Sequence, residues 1–143
     1  PACENGPMTN EAIHYSDTVL EHFERPRNAG EMADASVDYF VTNPISGDSM
    51  RLFLRIGDER IERASFLTTG GPASIATASV ATELVIGKTL DEADAITREQ
   101  LVDAVGGLPA SKIQCSVIAA AAIRNAVAKW RRENGNATSG GEA

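Results

Sequence analysis

The sequence predicts an α+β domain in which helices pack on one face of a three-stranded antiparallel sheet and the last helix is long. Apolar and polar residues alternate through much of residues 37–68, which is the period-two pattern of strands with one buried face. After Gly-Gly-Pro at residues 70–72, the sequence becomes rich in alanine, serine and threonine, as in a closely packed helix. From residue 113 to residue 130, apolar side chains recur every three or four positions, which predicts a long amphipathic helix.

The first predicted element is a short helix that starts after Ser16 and stops before Pro26. A serine hydroxyl at this position can accept a hydrogen bond from the first helical turn. Proline ends the helix because it lacks a backbone N–H and clashes with the preceding turn. The apolar side of this helix carries Val19, Leu20 and Phe23, and residues 28–35 read as a loop.

Three strands are predicted next, over residues 37–41, 50–56 and 61–68. Gly-Asp-Glu at residues 57–59 is a turn signal between the second strand and the third. Short connections between consecutive strands favour antiparallel pairing, since parallel strands need a long crossover.

Four helices complete the predicted fold. They cover residues 73–86, a short segment opened by Thr89, residues 97–105 with Thr97 as the cap, and residues 113–133. Gly87 is a suitable helix terminator, and Gly-Gly-Leu-Pro at residues 106–109 interrupts the chain before the last helix.

Composition narrows the classes of function. The chain has 143 residues and a formal net charge of −7, which argues against nucleic acid or an anionic membrane as a partner. No apolar run approaches the length of a membrane span, and no signal-peptide pattern is present, so the predicted location is cytoplasmic. The two cysteines, Cys3 and Cys115, cannot form a disulfide framework.

We expect one domain over residues 15–133. Residues 1–14 are interpreted as an N-terminal arm, in which Met8 is a candidate natural start and residues 1–7 a candidate non-native addition. Residues 134–143 are small and polar and are predicted to be a disordered tail.

Three loops interrupt the predicted elements at their ends. Residues 44–48 read Pro-Ile-Ser-Gly-Asp, residues 69–72 read Thr-Gly-Gly-Pro, and residues 108–116 read Leu-Pro-Ala-Ser-Lys-Ile-Gln-Cys-Ser. Together with Tyr-Ser at residues 15–16 and Pro-Arg-Asn-Ala-Gly at residues 26–30, they resemble the iron–sulfur cluster scaffold family, IscU and the N-terminal domain of NifU. The resemblance covers nearly the whole domain, from about residue 15 to residue 130.

This resemblance implies the fold predicted above and a non-enzymatic function in iron–sulfur cluster assembly. It implies that a cysteine desulfurase delivers sulfur, that iron joins it, and that a [2Fe–2S] cluster forms on the protein before transfer. It also implies a chaperone as a partner, bound through the segment that includes Leu108, Pro109 and Lys112 here. The residues themselves leave two interpretations of this segment open. It is either a plain interhelix loop in which Pro109 marks a helix start, or a pre-extended segment in which an exposed Leu108 and Lys112 contact the chaperone. In the family the usual ligands are three cysteines, one per loop, aided by an aspartate and by a histidine beside the third cysteine.

The chain departs from that ligand pattern at three positions. Ser46 stands at the first cysteine position, Gly71 at the second, and Gln114 at the histidine position. Asp48 and Cys115 match the family and are the candidate ligands for iron or a cluster. Iron–sulfur clusters need soft thiolate ligands, so we expect a monomer to hold no stable cluster. A homodimer could pool two copies of Asp48 and Cys115.

Two interpretations of Cys115 remain open at this stage. It is either a buried helix residue or a reactive thiolate whose pKa is lowered by the helix dipole. The whole protein likewise has alternative interpretations: a scaffold with a degenerate site, or a non-catalytic binding module that contacts a desulfurase or a chaperone. A thiol enzyme is disfavoured because the sequence places neither His14 nor His22 near Cys115.

Overall fold

The computed structural model describes residues 15–44 and 47–134, and the α+β prediction is confirmed. Strands β1 (Val37–Thr42), β2 (Ser49–Gly57) and β3 (Arg60–Thr69) form one sheet in the order β1-β2-β3. Both strand pairings are antiparallel, and the register shifts between Arg55 and Ile56. The short predicted connections therefore gave the correct topology.

The described part of the chain also contains five α-helices: α1 (Asp17–Glu24), α2 (Pro72–Val85), α3 (Leu90–Asp94), α4 (Arg98–Ala104) and α5 (Gln114–Glu133). The hydroxyl of Ser16 accepts a hydrogen bond from the N–H of Val19 at 3.0 Å, as the sequence predicts for the cap of α1. Thr89 and Thr97 each form a capping box at the start of α3 and α4, so polar side chains satisfy the first N–H groups of those helices.

The main core lies between one face of the sheet and helices α2 and α5. The side chains of Leu52, Leu54 and Ile123 are fully buried there. Ala81 in α2 and Ala122 in α5 are also fully buried, and their small size lets the helices approach closely. The alanine-rich composition of these segments thus reflects tight packing.

A second apolar cluster joins α1, α2 and α4 and contains Val19, Ala76, Val80 and Val105. Leu108 is half-buried and packs against this cluster. Leu108 is therefore less exposed than the chaperone-contact interpretation of this segment expects, because the cluster supplies an apolar surface that the leucine partly covers.

The segment between α4 and α5 fits the interpretation of Pro109 as a helix start better than the interpretation of a fully extended segment. Pro109 is extended, with φ −57° and ψ 148°, but Ala110–Lys112 forms a 3-10 turn. The N–H of Lys112 donates to the C=O of Pro109 at 2.8 Å, which closes that turn. The proline thus starts a helical turn that leads into α5, because its fixed φ suits the beginning of a helix.

Several predictions fall on residues that the structure does not describe. Residues 1–14 lie outside the described residues, as do Ser46 and the predicted tail except Asn134, which ends α5. Within the described residues, no helix combines the length and the apolar character needed to cross a membrane.

Candidate functional site

Three loop ends that are far apart in the sequence meet at one end of the sheet. Asp48 precedes β2, Gly71 precedes α2, and Cys115 lies in the first turn of α5. A cavity of about 10 Å³ is lined by Asp48, Cys115 and Ser74, among others. That volume is about what one water molecule needs, so anything larger would have to sit at the mouth of the cavity.

Further contacts tie the three loops together. The side-chain amide of Asn43 donates to Oε1 of Gln114 at 3.4 Å, which links the first loop to the start of α5. The backbone N–H of Asn43 donates to the C=O of Asp48 at 2.9 Å and closes the first loop. A Cβ atom built on Gly70 would lie 3.0 Å from Oδ1 of Asp48, so the second loop lies against this carboxylate.

The two adjacent glycines of the second loop have different structural requirements. Gly70 has φ +141°, and a Cβ atom there would lie 2.5 Å from Oγ of Ser74, so only glycine fits. Gly71 is the N-cap of α2, with φ −93° and ψ −160°, which is extended backbone that other residues adopt. A Cβ atom on Gly71 would meet no atom within 4 Å. The backbone therefore does not require glycine at the position where the family carries a cysteine.

Cys115 is 6% exposed, and its Sγ lies 3.4 Å from Oγ of Ser74. Burial raises the pKa of the Cys115 thiol, and the charge of Asp48 adds to this effect. The hydrogen bond from Ser74 and the charge of Lys112 oppose it without reversing the direction. Of the two interpretations left open by the sequence, the structure favours the buried helix residue over the reactive thiolate, because loss of solvation outweighs the groups that lower the pKa.

Ser74 was missed by the sequence interpretation. It is 9% exposed and lies in the first turn of α2, three residues after Gly71. Its hydroxyl lies between Gly70 of the second loop and Cys115 of the third. A polar residue three positions after a predicted helix cap is the signal that could have identified it, since first-turn side chains surround the helix N-terminus.

The described chain offers few metal ligands. Residues 15–44 and 47–134 contain no group of three or more histidine, cysteine, aspartate or glutamate side chains that could hold a metal ion. Gln114 is exposed, and Gly71 offers no side chain. The ring of His22 bonds to Ser79 at 2.7 Å between α1 and α2, so His22 serves the packing of those helices.

The fold and the three converging loops define a class of small α+β domains with a small cavity where the loops meet at one end of the sheet. The model of the NifU-like N terminal domain family matches residues 14–137. The chain therefore belongs to this family, and the resemblance inferred from the loops is confirmed.

Curated relatives agree with this family membership. The chain is 47% identical over 121 residues to a protein of Archaeoglobus fulgidus named iron-sulfur cluster assembly scaffold protein IscU 1, covering 85% of this chain and 79% of the relative. It is 40% identical over 125 residues to the IscU scaffold protein of Azotobacter vinelandii, covering 85% of this chain and 97% of the relative. A solved NifU-like N-terminal protein from Brucella abortus matches with a TM-score of 0.72 at 16% identity, covering 87% of this chain and 98% of that one, and shows the shared fold.

Proposed function

We propose that this protein takes part in iron–sulfur cluster assembly as a scaffold-family member that does not hold a stable cluster as a monomer. The names of its relatives support a role in this process. The limit on cluster binding is supported by Ser46, Gly71 and Gln114, which differ from the ligand set that the resemblance implies. The observation that carries the proposal is the single thiol in the described site: Cys115 is buried, and its pKa is raised.

The donor chemistry supports this limit on cluster binding. A [2Fe–2S] cluster has four ligand positions and is held by thiolates. Asp48 and Cys115 together supply one hard donor and one soft donor. Ser46 carries a hydroxyl, a poor ligand for iron and sulfide, and Gly71 carries no donor at all. A homodimer that pools two copies of Asp48 and Cys115 would reach four donors, so we propose that any stable cluster requires dimerisation.

A cysteine desulfurase and a cluster-assembly chaperone are the proposed partners. Lys112 is half-exposed at the end of the 3-10 turn that follows Pro109, which supports a role for this segment in partner contact. Leu108 contributes by holding the segment against the α1–α2–α4 cluster. The net charge of −7 supports the absence of nucleic acid and anionic membranes among its partners, and we propose the cytoplasm as its location.

A second candidate is a binding module that contacts these partners and never carries a cluster. The raised pKa of Cys115 favours it, because sulfur transfer needs a thiolate and burial disfavours that form of this thiol. The same burial gives no support to a thiol-enzyme role.

Anaerobic reconstitution with iron, sulfide and a cysteine desulfurase tests the proposal. Absorbance measured across a size-exclusion column reports the cluster and the oligomeric state together. We expect a colourless monomer peak, and any cluster absorbance in a dimer peak should disappear in Cys115→Ser. A stable, stoichiometric [2Fe–2S] spectrum in the monomer peak would refute the proposal. Colourless peaks throughout, with retained binding to the desulfurase, would favour the binding module.

A further inference from the structure

β1 forms one edge of the sheet, and its backbone groups alternate between β2 and the free edge. The N–H of Asn43 donates to the C=O of Asp48 at 2.9 Å, and the register continues this antiparallel pairing into β1. Every second residue before Asn43 therefore bonds to β2, and the residues between them direct their N–H and C=O groups away from it. These outward residues are Asp38, Phe40 and Thr42.

Phe40 and Thr42 keep their outward groups available for pairing. The Nζ of Lys129 donates to the C=O of Asp38 at 3.0 Å, which confirms the outward direction and occupies that end of the edge. Pro44, beyond the other end, has no N–H. Between these two ends, no backbone group among the residues that the structure describes bonds to β1 from the free side. Phe40 is 49% exposed and Thr42 is also exposed, so a second strand can reach both residues.

The helix above this edge leaves one of its sides open as well. Ala121, Asn125 and Lys129 are spaced four residues apart and therefore form one row along α5, called the α5 row below. Because Lys129 reaches an outward C=O of β1, this row faces the free edge of the sheet. Ala121 is half-buried, and Asn125 is exposed. Below the row, Tyr39 and Val41 pack against the main core but stay half-buried, so the free edge has a strand layer and a helix layer that are both incompletely covered.

A second copy of the chain would fit both layers at once. α5 packs over both β1 and β2, so its axis lies inside β1 by about half of the strand spacing of about 4.8 Å. Two β1 strands paired at that spacing would therefore place the two α5 axes about 10 Å apart. The axes of packed helices lie about 8–10 Å apart. A peptide strand by itself would cover only the lower layer, so this spacing favours a second copy.

The register of α5 over β1 brings a small side chain to the contact between the two helices. At one end of β1 the amide of Asn43 donates to Gln114, and at the other end the Nζ of Lys129 reaches the strand. With rises of about 1.5 Å per helical residue and about 3.3 Å per strand residue, the middle of β1 lies beneath about residues 118–122. That stretch includes Ala121, whose small side chain permits close approach of a second helix.

The charges at this edge are compatible with a second copy. A net charge of −7 would keep two chains apart over most of their surfaces. In β1 and the α5 row the acidic side chain is Asp38, which already pairs with Arg51 at 2.5 Å. In an antiparallel pair of helices related through Ala121, the two copies of Lys129 would lie about 24 Å apart, beyond the screening length of about 8 Å. Pairing of β1 and of the α5 row therefore brings no like charges of these residues together.

We propose that two copies of this chain pair through the free edge of β1 and form one continuous six-stranded sheet. The two β1 strands run antiparallel around a two-fold axis at Val41. Phe40 of each protomer exchanges two main-chain hydrogen bonds with Thr42 of its partner. Each α5 packs against its counterpart near Ala121, so the helix layer is continuous as well.

This dimer is closed and leaves the candidate site unshared. The same edge is used by both copies, so no β1 edge remains for a third. At the opposite edge of the sheet, residues 28–30 bond to Phe66 and residues 87–88 bond to Ile61. The two copies of Cys115 lie about 20 Å apart in this arrangement, too far to hold one cluster. The pairing therefore differs from a dimer that shares cluster ligands and does not depend on the function proposed above.

Sedimentation equilibrium of the full chain in reducing buffer tests the pairing. The contact is one strand and one helix wide, smaller than a standard interface, so we expect a dissociation constant of about 10 µM to 1 mM. The average mass should rise toward that of two chains across this range of concentration. In a mixture of ¹³C-labelled and unlabelled chains, the Hα proton of Val41 should give an intermolecular nuclear Overhauser effect to its counterpart, because the two protons face each other at the two-fold axis.

Two variants separate this edge from other surfaces. Thr42→Pro removes an outward N–H without removing a bond to β2, and Ala121→Arg places a long charged side chain between the helices; each should weaken the dimer about tenfold or more. Ala95→Arg is the matched control, because Ala95 is exposed at the end of α3, away from β1. The dimer should also persist with a metal chelator present, which separates it from a dimer held by a shared cluster. A chain that stays monomeric at about 1 mM, a dimer that both edge variants retain, or a dimer that the chelator dissociates would each overturn the proposal.

Discussion

Restoring the missing donors should allow the chain to retain a cluster. The change is Ser46→Cys, Gly71→Cys and Gln114→His in one protein. With Cys115 and Asp48, the loops would then carry three soft sulfur donors, an imidazole and a carboxylate. A Cβ atom on Gly71 meets nothing within 4 Å, and the φ of −93° suits any residue. We therefore expect the free energy of unfolding to change by less than about 1 kcal/mol at this position.

The assay measures iron and sulfide per chain after anaerobic reconstitution and desalting, together with the absorbance spectrum. Even an outer partner of a metal ligand contributes about 10- to 100-fold in affinity, so restored ligands should raise retained cluster by about tenfold or more. Urea denaturation of the same samples before reconstitution reports the free energy of unfolding.

The matched control moves the second cysteine by one residue. Gly70→Cys, with the other two changes kept, has the same number of thiols, but Gly70 has φ +141° and its Cβ would lie 2.5 Å from Oγ of Ser74. This strain should cost about 1–3 kcal/mol and misdirect the thiol. Equal cluster retention in both proteins, or none in either, would refute the inference that the pocket still has the shape of a ligand site.

Three further predictions follow from individual contacts. Ser74→Ala should raise the pKa of Cys115 further, because it removes the hydrogen bond that favours the thiolate. The pH dependence of the rate at which Cys115 is alkylated measures this pKa, with Ser111→Ala as the control. A lower pKa in Ser74→Ala would contradict the prediction. Burial lowers the pKa of His22 below its ordinary 6.5. As the pH falls, the unfolded chain therefore binds a proton at this residue at a higher pH than the folded chain does. The free energy of unfolding should consequently fall as the pH drops below about 6.5. Urea denaturation above and below that pH should show the slope in the native chain and a smaller slope in His22→Gln; identical slopes would exclude His22 as the cause. Thr97→Ala should lower the free energy of unfolding by about 1 kcal/mol through loss of the capping box at α4, and an unchanged urea midpoint would argue against that cap.

Local patterns were sufficient for the secondary structure and for the family. Ser16, Thr89 and Thr97 mark helix starts in the sequence and cap α1, α3 and α4 in the structure. A hydroxyl before an apolar run has a direct partner within three residues, so neighbouring sequence is enough to predict it. The alternation in β2 likewise reflects the period of a strand with one buried face, and its tight connections leave antiparallel pairing as the simple solution.

The sequence also placed the candidate ligand positions at the ends of elements. It could not place Ser74 beside Cys115, because the two are 41 residues apart and meet only when α2 and α5 pack together. It could not predict that Leu108 is covered, since the covering residues come from α1, α2 and α4.

The sequence by itself determined the order of elements, the caps, the antiparallel topology and the absence of a thiol side chain at Ser46 and Gly71. These depend on residue type, spacing and neighbouring turns. The tertiary structure alone decided that Cys115 is buried with a raised pKa and that Ser74 lies beside it. Solvent exposure and pKa depend on which distant segments pack around a group, and that arrangement exists only in the folded chain.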